Sequence, residues 1–157
     1  MKLLIIDDEK SLLKLLHMSL TDSETTVKTA ETAIQGLELA NTDTFDVIVC
    51  DIGLPDKDGL EVLTTLKKSH PETPVIMITA HGTVQSALNA MKSGAYDYIT
   101  KPFEPEELKI VTQRAVSTLK LQRDLHRLQT EVSQKYDFSN INGTPNAMNT
   151  AFDRIRK

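Results

Sequence analysis

The 157-residue chain has 25% charged and 39% hydrophobic residues, ordinary proportions for a soluble protein of one domain with an appendage. Its single cysteine excludes a disulfide framework, and no apolar run approaches the ~20 residues that a membrane span needs. Residues 1–105 carry nine lysines and 16 acidic residues, a net charge of −7, which argues against a nucleic-acid surface there.

Strand-like and helix-like segments alternate along the chain, a pattern typical of a parallel sheet covered by helices on both faces. The runs at 47–50 and 75–78 are apolar throughout, as expected of buried parallel strands, so Cys50 is expected to be a packing residue. We also expect the leucines at helical spacing in the first helix to pack in the core, namely Leu12, Leu13, Leu15 and Leu16. Strands are predicted near 2–6, 25–29, 45–50, 74–79 and 95–99, and helices near 9–20, 31–40, 58–69, 83–93 and from 104 to about 134.

The last predicted helix is long and polar, with one apolar seam. Four residues repeat at spacings of 4, 3 and 4, as in a dimeric coiled coil: Leu121, Leu125, Leu128 and Val132. Residues 106–157 carry a net charge of +3, which is too sparse to indicate DNA binding. Two interpretations remain open, of which we prefer the first: a dimerising helix, or one amphipathic helix that folds back on its own chain.

The end of the chain has a different pattern. Residues 138–145 are rich in turn formers, and residues 146–157 resemble the beginning of a helix with no partner to pack on. We therefore expect a further domain to follow in the full-length protein. Because the N-terminus lacks the long apolar stretch of a secretory signal, we expect a cytoplasmic protein.

Polar side chains follow four of the predicted strands at the point where each strand ends. Asp7 and Asp8 follow the first, Asp51 the third, Thr79 the fourth and Lys101 the fifth. In an open α/β sheet the ligand site lies just beyond the carboxyl ends of the strands, so these groups should converge. Carboxylates suit Mg²⁺, and a carboxylate can also attack phosphorus to give an acyl phosphate. The sequence thus predicts a site for a divalent cation and a phosphoryl group.

Each of these residues also has a structural interpretation. Asp7 or Asp8 can cap the following helix, Asp51 can cap a turn, Lys101 can be a surface lysine and Thr79 can simply end a strand. All of them together at successive strand ends favour the site.

Four segments resemble the receiver domain of a two-component response regulator: LLIIDDE, VIVCDIGLPDKDGLEVL, PVIMITAHG and GAYDYITKPF. The resemblance covers residues 1 to about 120 and implies a flavodoxin-like (CheY-like) doubly wound five-stranded parallel sheet. It implies that Asp51 accepts phosphate from a sensor histidine kinase. It implies Mg²⁺ ligation by Asp8, Asp51 and the backbone carbonyl of Gly53, with Asp7 helping through water. The roles implied for the remaining residues are phosphoryl partner for Lys101, switch hydroxyl for Thr79 and switch aromatic for Tyr98.

The segment from Gly82 to Leu108 is similar to receivers of the NtrC and DctD group, and FSNINGTPNAM resembles the beginning of the AAA+ domain of σ54-dependent activators. This resemblance implies a receiver at 1–120, an extended helix and dimerisation linker at 104–135 and the beginning of an AAA+ domain at 136–157. The chain has no G-x-x-x-x-G-K-[ST] sequence, so it should neither bind nor hydrolyse ATP. Its expected partners are a kinase and a second copy, with σ54-RNA polymerase and DNA reached through further domains and no membrane partner.

Two alternatives stay open from sequence. One is a magnesium-dependent phosphohydrolase with an aspartyl nucleophile, although its Asp-x-Asp after the first strand is replaced here by Asp7-Asp8-Glu9. The other is the receiver of a winged-helix DNA-binding regulator, against which the long seam helix speaks. In the preferred interpretation the chain modifies itself at Asp51 and is not an enzyme acting on other substrates.

Overall fold

A computed structural model describes residues 1–136 of the chain. Strands and helices alternate strictly, as predicted, and the predicted bounds differ from the observed ones by one or two residues at most ends. The elements are β1 (Lys2–Ile6), α1 (Lys10–Leu20), β2 (Thr26–Ala30), α2 (Ala33–Thr42), β3 (Val47–Asp51), α3 (Gly59–Ser69), β4 (Val75–Thr79), α4 (Val84–Lys92), β5 (Asp97–Thr100) and α5 (Pro105–Lys135).

The five strands form one sheet in the order β2-β1-β3-β4-β5, and every neighbouring pair is parallel. This order has its switch point between β1 and β3, the arrangement of the flavodoxin-like doubly wound sheet. The register pairs Ile6 with Cys50, Asp51 with Ile78 and Thr79 with Thr100, so β1, β3, β4 and β5 end at one edge. The predicted fold is confirmed.

Alternate residues of β1 enter two separate cores, because successive side chains of a strand point to opposite faces. Leu4 and Ile6 pack with buried residues of α2, α3 and α4. Leu3 and Ile5 pack with buried residues of α1 and α5. Both faces of the sheet are therefore covered, which fixes the strand ends that carry the predicted site.

The prediction that the whole α1 stripe lies in the core is wrong for one residue. Leu13 and Leu16 are buried and Leu12 is half-buried, but Leu15 is 51% exposed. At 100° per residue, Leu15 lies about 130° from the centre of the buried stripe formed by Leu13, Leu16 and Leu20. Pairs of adjacent leucines on successive turns span a wider arc than the face that α1 buries.

The chain divides into two compact units, Met1–Leu121 and Gln122–Lys157. In the first unit, α5 buries Leu108, Val111 and Ala115 against the sheet. Pro105 occupies the first position of α5, where its missing N–H costs nothing. The described part of the second unit continues α5 to Lys135, and the predicted AAA+ segment lies outside the described residues from 137 onward. No helix among residues 1–136 is long and apolar enough to cross a membrane.

Candidate functional site

The structure brings the predicted groups together at the carboxyl edge of the sheet. Asp7 follows β1 and is held by its backbone N–H, which donates to Ala30 O at 3.0 Å. Asp51 is the last residue of β3 and Thr79 the last of β4. Lys101 follows β5, and its backbone N–H donates to Thr79 O at 2.7 Å. The peptide bond between Lys101 and Pro102 is cis. Hydrogen bonding of the sheet thus extends past the strand ends and fixes the backbone of the site.

Three carboxylates form the centre of the site. One carboxylate oxygen each from Asp7, Asp8 and Asp51 lies within 4.8 Å of the other two. Asp7 is fully buried, Asp51 is 5% exposed and Asp8 is exposed, so the cluster opens to solvent on the Asp8 side. Neither Asp7 nor Asp8 is the N-cap of α1. That position belongs to Glu9, whose backbone N–H donates to Asp7 Oδ1 at 2.8 Å.

Lys101 supplies the positive charge next to these acids. Its Nζ lies 2.6 Å from Asp7 Oδ2, 3.7 Å from Asp51 Oδ2 and 3.9 Å from Glu9 Oε2. Burial alone would lower the pKa of Lys101. The contact with Asp7, reinforced by the charges of Asp51 and Glu9, outweighs burial and raises it. Lys101 is therefore a charged member of the site and not the surface lysine of the alternative interpretation.

Asp51 has a less favourable environment for its charge. Burial raises the pKa of its carboxyl, and the negative charges of Asp7 and Asp8 raise it further. Lys101 and the backbone N–H of Gly53 act in the opposite direction without reversing the shift. A carboxylate that is held ionised in such surroundings gains from any further positive charge placed nearby.

The donor set fits a hard divalent cation. All three ligand candidates are carboxylate oxygens, which Mg²⁺ and Ca²⁺ prefer. Asp7 Oδ2 is buried and lies 2.6 Å from the Lys101 ammonium. The cluster therefore places three carboxylates beside one ammonium, so a further positive charge would be favoured there.

The two predicted switch residues lie on neighbouring strands. Thr79 is 6% exposed, and its Oγ1 accepts from the backbone N–H of His81 at 3.2 Å. Tyr98 is half-buried, and its hydroxyl is 2.8 Å from Ser86 Oγ. Ser86 also completes the capping box of α4 with Thr83. The contact between Ser86 and Tyr98 spans 12 residues and has no local sequence pattern.

Two residues that follow β3 make contacts that were missed from sequence, namely Asp56 in the β3–α3 connection and Gly59 at the beginning of α3. A Cβ added to Gly59 would lie 2.3 Å from the backbone oxygen of Asp51, so the connection folds back onto the phosphoacceptor candidate. The Asp56 carboxylate accepts from the backbone N–H groups of Ala33 and Ile34 at 2.9 and 3.0 Å. Gly53, in contrast, is exposed, and an added Cβ would make an ordinary contact of 3.6 Å with Asp51 Oδ2.

The four residues of the predicted seam are exposed on α5. Their exposed fractions are 69% for Leu121, 58% for Leu125, 52% for Leu128 and 56% for Val132. Large apolar side chains at coiled-coil spacing that stay in water are available for a second helix.

Comparison with known proteins agrees with the sheet and the acidic cluster. Residues 3–113 match the family model of the response regulator receiver domain. The chain belongs to the response regulator receiver domain family. The chain is 35% identical over 155 residues to the nitrogen assimilation regulatory protein NtrX of Azorhizobium caulinodans, and the match covers 98% of this chain and 34% of that protein. It is 35% identical over 125 residues to the DNA-binding transcriptional regulator NtrC of Escherichia coli, covering 80% of this chain and 27% of that one.

A crystal structure of NtrX from Brucella abortus superposes on this receiver chain with a TM-score of 0.78 at 35% identity, covering 98% of this chain and 34% of that one. The chain thus spans about a third of the length of such regulators or less. These matches support a two-component receiver of the NtrX and NtrC type, and they support neither the phosphohydrolase nor the winged-helix regulator.

Proposed function

We propose that Asp51 accepts a phosphoryl group from a sensor histidine kinase. The observation that carries this proposal is a buried carboxylate at the end of β3, beside two further carboxylates and 3.7 Å from the Lys101 ammonium. In the transfer, an Asp51 oxygen forms a bond to phosphorus as the phosphorus–nitrogen bond of the phosphohistidine breaks. The histidine nitrogen keeps the bonding electron pair. The chain is consumed as the acceptor, so it modifies itself and turns over no separate substrate.

Asp8, Asp51 and the Gly53 carbonyl would hold Mg²⁺, with Asp7 contributing through water. The bound ion would neutralise part of the charge on the transferred group, which is the main requirement of a loose phosphoryl-transfer transition state. Lys101 holds a positive charge at the same place, and it is oriented by Asp7 at 2.6 Å. The fit of this donor set to Mg²⁺ rests on its oxygen chemistry and on the excess of three carboxylates over the one ammonium of Lys101.

Phosphorylation would then act through Thr79 and Tyr98. A phosphoryl group adds nearly two negative charges and new acceptor oxygens, which a Thr79 hydroxyl can meet by donating. Space vacated by Thr79 would let Tyr98 turn inward, away from Ser86. This change would bias the face built from α4, β5 and α5, and with it the geometry of a homodimer formed through the α5 seam. In a full-length protein the dimer would control an attached σ54-dependent AAA+ activator, which reaches polymerase and DNA through its other domains. We also propose a cytoplasmic location, because the chain would act together with the sensor kinase.

The direct test is self-labelling. The chain is incubated with Mg²⁺ and a small phosphodonor such as acetyl phosphate, and its intact mass is measured over time. We expect the wild type to gain the mass of one phosphoryl group and Asp51→Asn to gain none. Asp46→Asn, which changes an exposed aspartate outside the acidic cluster, is the matched control and should label normally. Absence of labelling in the wild type, or labelling that survives Asp51→Asn, contradicts the proposal.

The seam is tested separately by light scattering of the unphosphorylated chain. Changing Leu125 and Leu128 to serine should shift a dimer towards monomer, because each polar side chain removes an apolar knob from the helix contact. Changing Gln122 and Gln134, which are exposed and lie outside the seam, to serine gives a similar loss of helix propensity and should leave the mass unchanged. An unchanged mass for the leucine variant would remove the seam from the proposal.

A further inference from the structure

Asp56 joins two parts of the chain that are distant in sequence. It lies in the β3–α3 connection at 52–58, and its two carboxylate oxygens accept from the first two backbone N–H groups of α2, those of Ala33 and Ile34. These contacts, the Asp56 bridge, span 23 and 22 residues of sequence. The same two hydrogen bonds lower the pKa of Asp56, and the positive end of the α2 dipole favours its charge. The bridge is therefore an ionised carboxylate shared between a loop and a helix.

The helix end does not depend on Asp56 for its own cap. Thr32 is the N-cap of α2, and its side chain accepts from the N–H of Gln35 at 3.2 Å. The Asp56 bridge is therefore not needed to cap α2. What it adds is a link between α2 and the β3–α3 connection. The Asp56 bridge has its main effect on the position of the connection, whose exposed residues include Gly53, three positions before Asp56.

The base of the connection is fixed by other contacts. Gly59 N–H donates to Ile52 O at 3.0 Å, and the Asp58 side chain caps α3 by accepting from Leu60 N–H at 2.8 Å. Between these two closures, Leu54 next to Gly53 packs in the core, and Asp56 anchors the exposed tip of the connection to α2. A loop held at base and tip loses less conformational entropy when one of its carbonyls binds an ion.

We propose that Asp56 is a positioning residue for the metal site, holding the β3–α3 connection so that the Gly53 carbonyl is oriented before Mg²⁺ binds. The inference rests on the proposed function, because it takes Gly53 as a ligand. It predicts that loss of the bridge weakens Mg²⁺ binding while the ligands themselves stay in place. Phosphodonor labelling should then slow at limiting Mg²⁺ and recover at saturating Mg²⁺.

The experiment titrates Mg²⁺ alone into Asp56→Ala and follows backbone amide shifts by NMR. We expect the dissociation constant to rise by about tenfold, the lower end of the effect of residues that orient metal ligands. Asp56→Asn keeps one acceptor oxygen and should fall between alanine and wild type. The thermal unfolding midpoint of each variant shows that folded protein is being compared.

Two controls separate orientation from stability and from charge. Asp22, in the α1–β2 connection at the opposite edge of the sheet, also accepts from two backbone N–H groups, those of Glu24 and Thr25, each at 2.8 Å. Asp22→Ala therefore removes two backbone hydrogen bonds of similar length and the same charge, but from a local turn that links no distant segments. Asp58→Asn removes a negative charge from the β3–α3 connection itself while keeping a side chain that caps helices equally well.

The outcomes are distinct. Mg²⁺ binding that weakens in Asp56→Ala beyond both controls supports the positioning role. Binding no weaker than in Asp22→Ala overturns it, and so does a loss matched by Asp58→Asn, which would make charge the cause. If the wild type itself binds no Mg²⁺, the proposed metal site fails and this inference fails with it.

Discussion

Replacing Lys101 with alanine is expected to lower the free energy of unfolding by about 3 kcal/mol in magnesium-free buffer, since removing one partner of a buried ion pair leaves the other charge uncompensated. The charge left behind would have little contact with water. Asp7, 2.6 Å from the lysine Nζ, is fully buried, and Asp51 is nearly so. The measurement is urea unfolding followed by circular dichroism. Added Mg²⁺ should restore more stability to this variant than to the wild type, because the ion replaces the missing positive charge.

The matched control is Lys67→Ala. Lys67 is also half-buried, but its ammonium donates to two neutral backbone oxygens, Pro71 O at 2.8 Å and Thr73 O at 3.0 Å. Its removal leaves no buried charge, so the loss should be smaller and insensitive to Mg²⁺. Combining Lys101→Ala with Asp51→Asn should recover part of the lost stability, because one of the competing carboxylates is gone. A Lys101 variant as stable as the Lys67 variant would contradict the electrostatic account of the site.

The pH dependence of the Lys101 variant follows from the direction of the Asp51 shift. The folded state already raises the pKa of Asp51 above its ordinary value of 3.8, and loss of Lys101 removes an interaction that lowers it. The free-energy cost of an ionised Asp51 in the folded state is therefore fully present above its folded-state pKa and absent below the ordinary carboxyl range. As the pH falls through this window, the folded state takes up the proton first, so the stability deficit of the variant should shrink.

The site was predictable from sequence as far as strand ends determine it. A parallel sheet brings the carboxyl ends of its strands to one edge, so the positions of Asp7, Asp51, Thr79 and Lys101 along the chain were enough to expect them together. The contacts of Asp56 and Ser86 were not predictable in this way. Asp56 reaches a backbone N–H of α2 23 residues away, and Ser86 of α4 reaches Tyr98 of β5 12 residues away; no local spacing encodes either contact. Leu15 shows the same limit for packing, because hydrophobicity at helical spacing does not state how wide the buried face is.

Gly59→Ala is expected to be the most damaging change next to Asp51 that leaves every functional group in place. The added Cβ would lie 2.3 Å from Asp51 O and 2.5 Å from Ile52 Cα, and these are backbone atoms that cannot turn aside. Relief requires the β3–α3 connection to move away from the end of β3. We expect a loss of about 3 kcal/mol in the free energy of unfolding, the upper part of the usual range for overpacking.

Gly53→Ala is the control for this change, because it adds the same methyl group within the β3–α3 connection that Gly59 directly follows. At position 53 the added Cβ would lie 3.6 Å from Asp51 Oδ2, an ordinary contact. Among the described residues a positive φ occurs at Gly94 and not at Gly53, so the backbone at 53 also accepts alanine. Alanine at 53 should therefore be tolerated, with the unfolded chain losing some conformational freedom.

Urea unfolding and phosphodonor labelling of the folded fraction distinguish two effects in Gly59→Ala. A displaced Asp51 slows labelling of molecules that are still folded, whereas lost stability alone reduces only their number. Equal stability and equal labelling of the two alanine variants would show that the backbone contact between Gly59 and Asp51 does not hold the site.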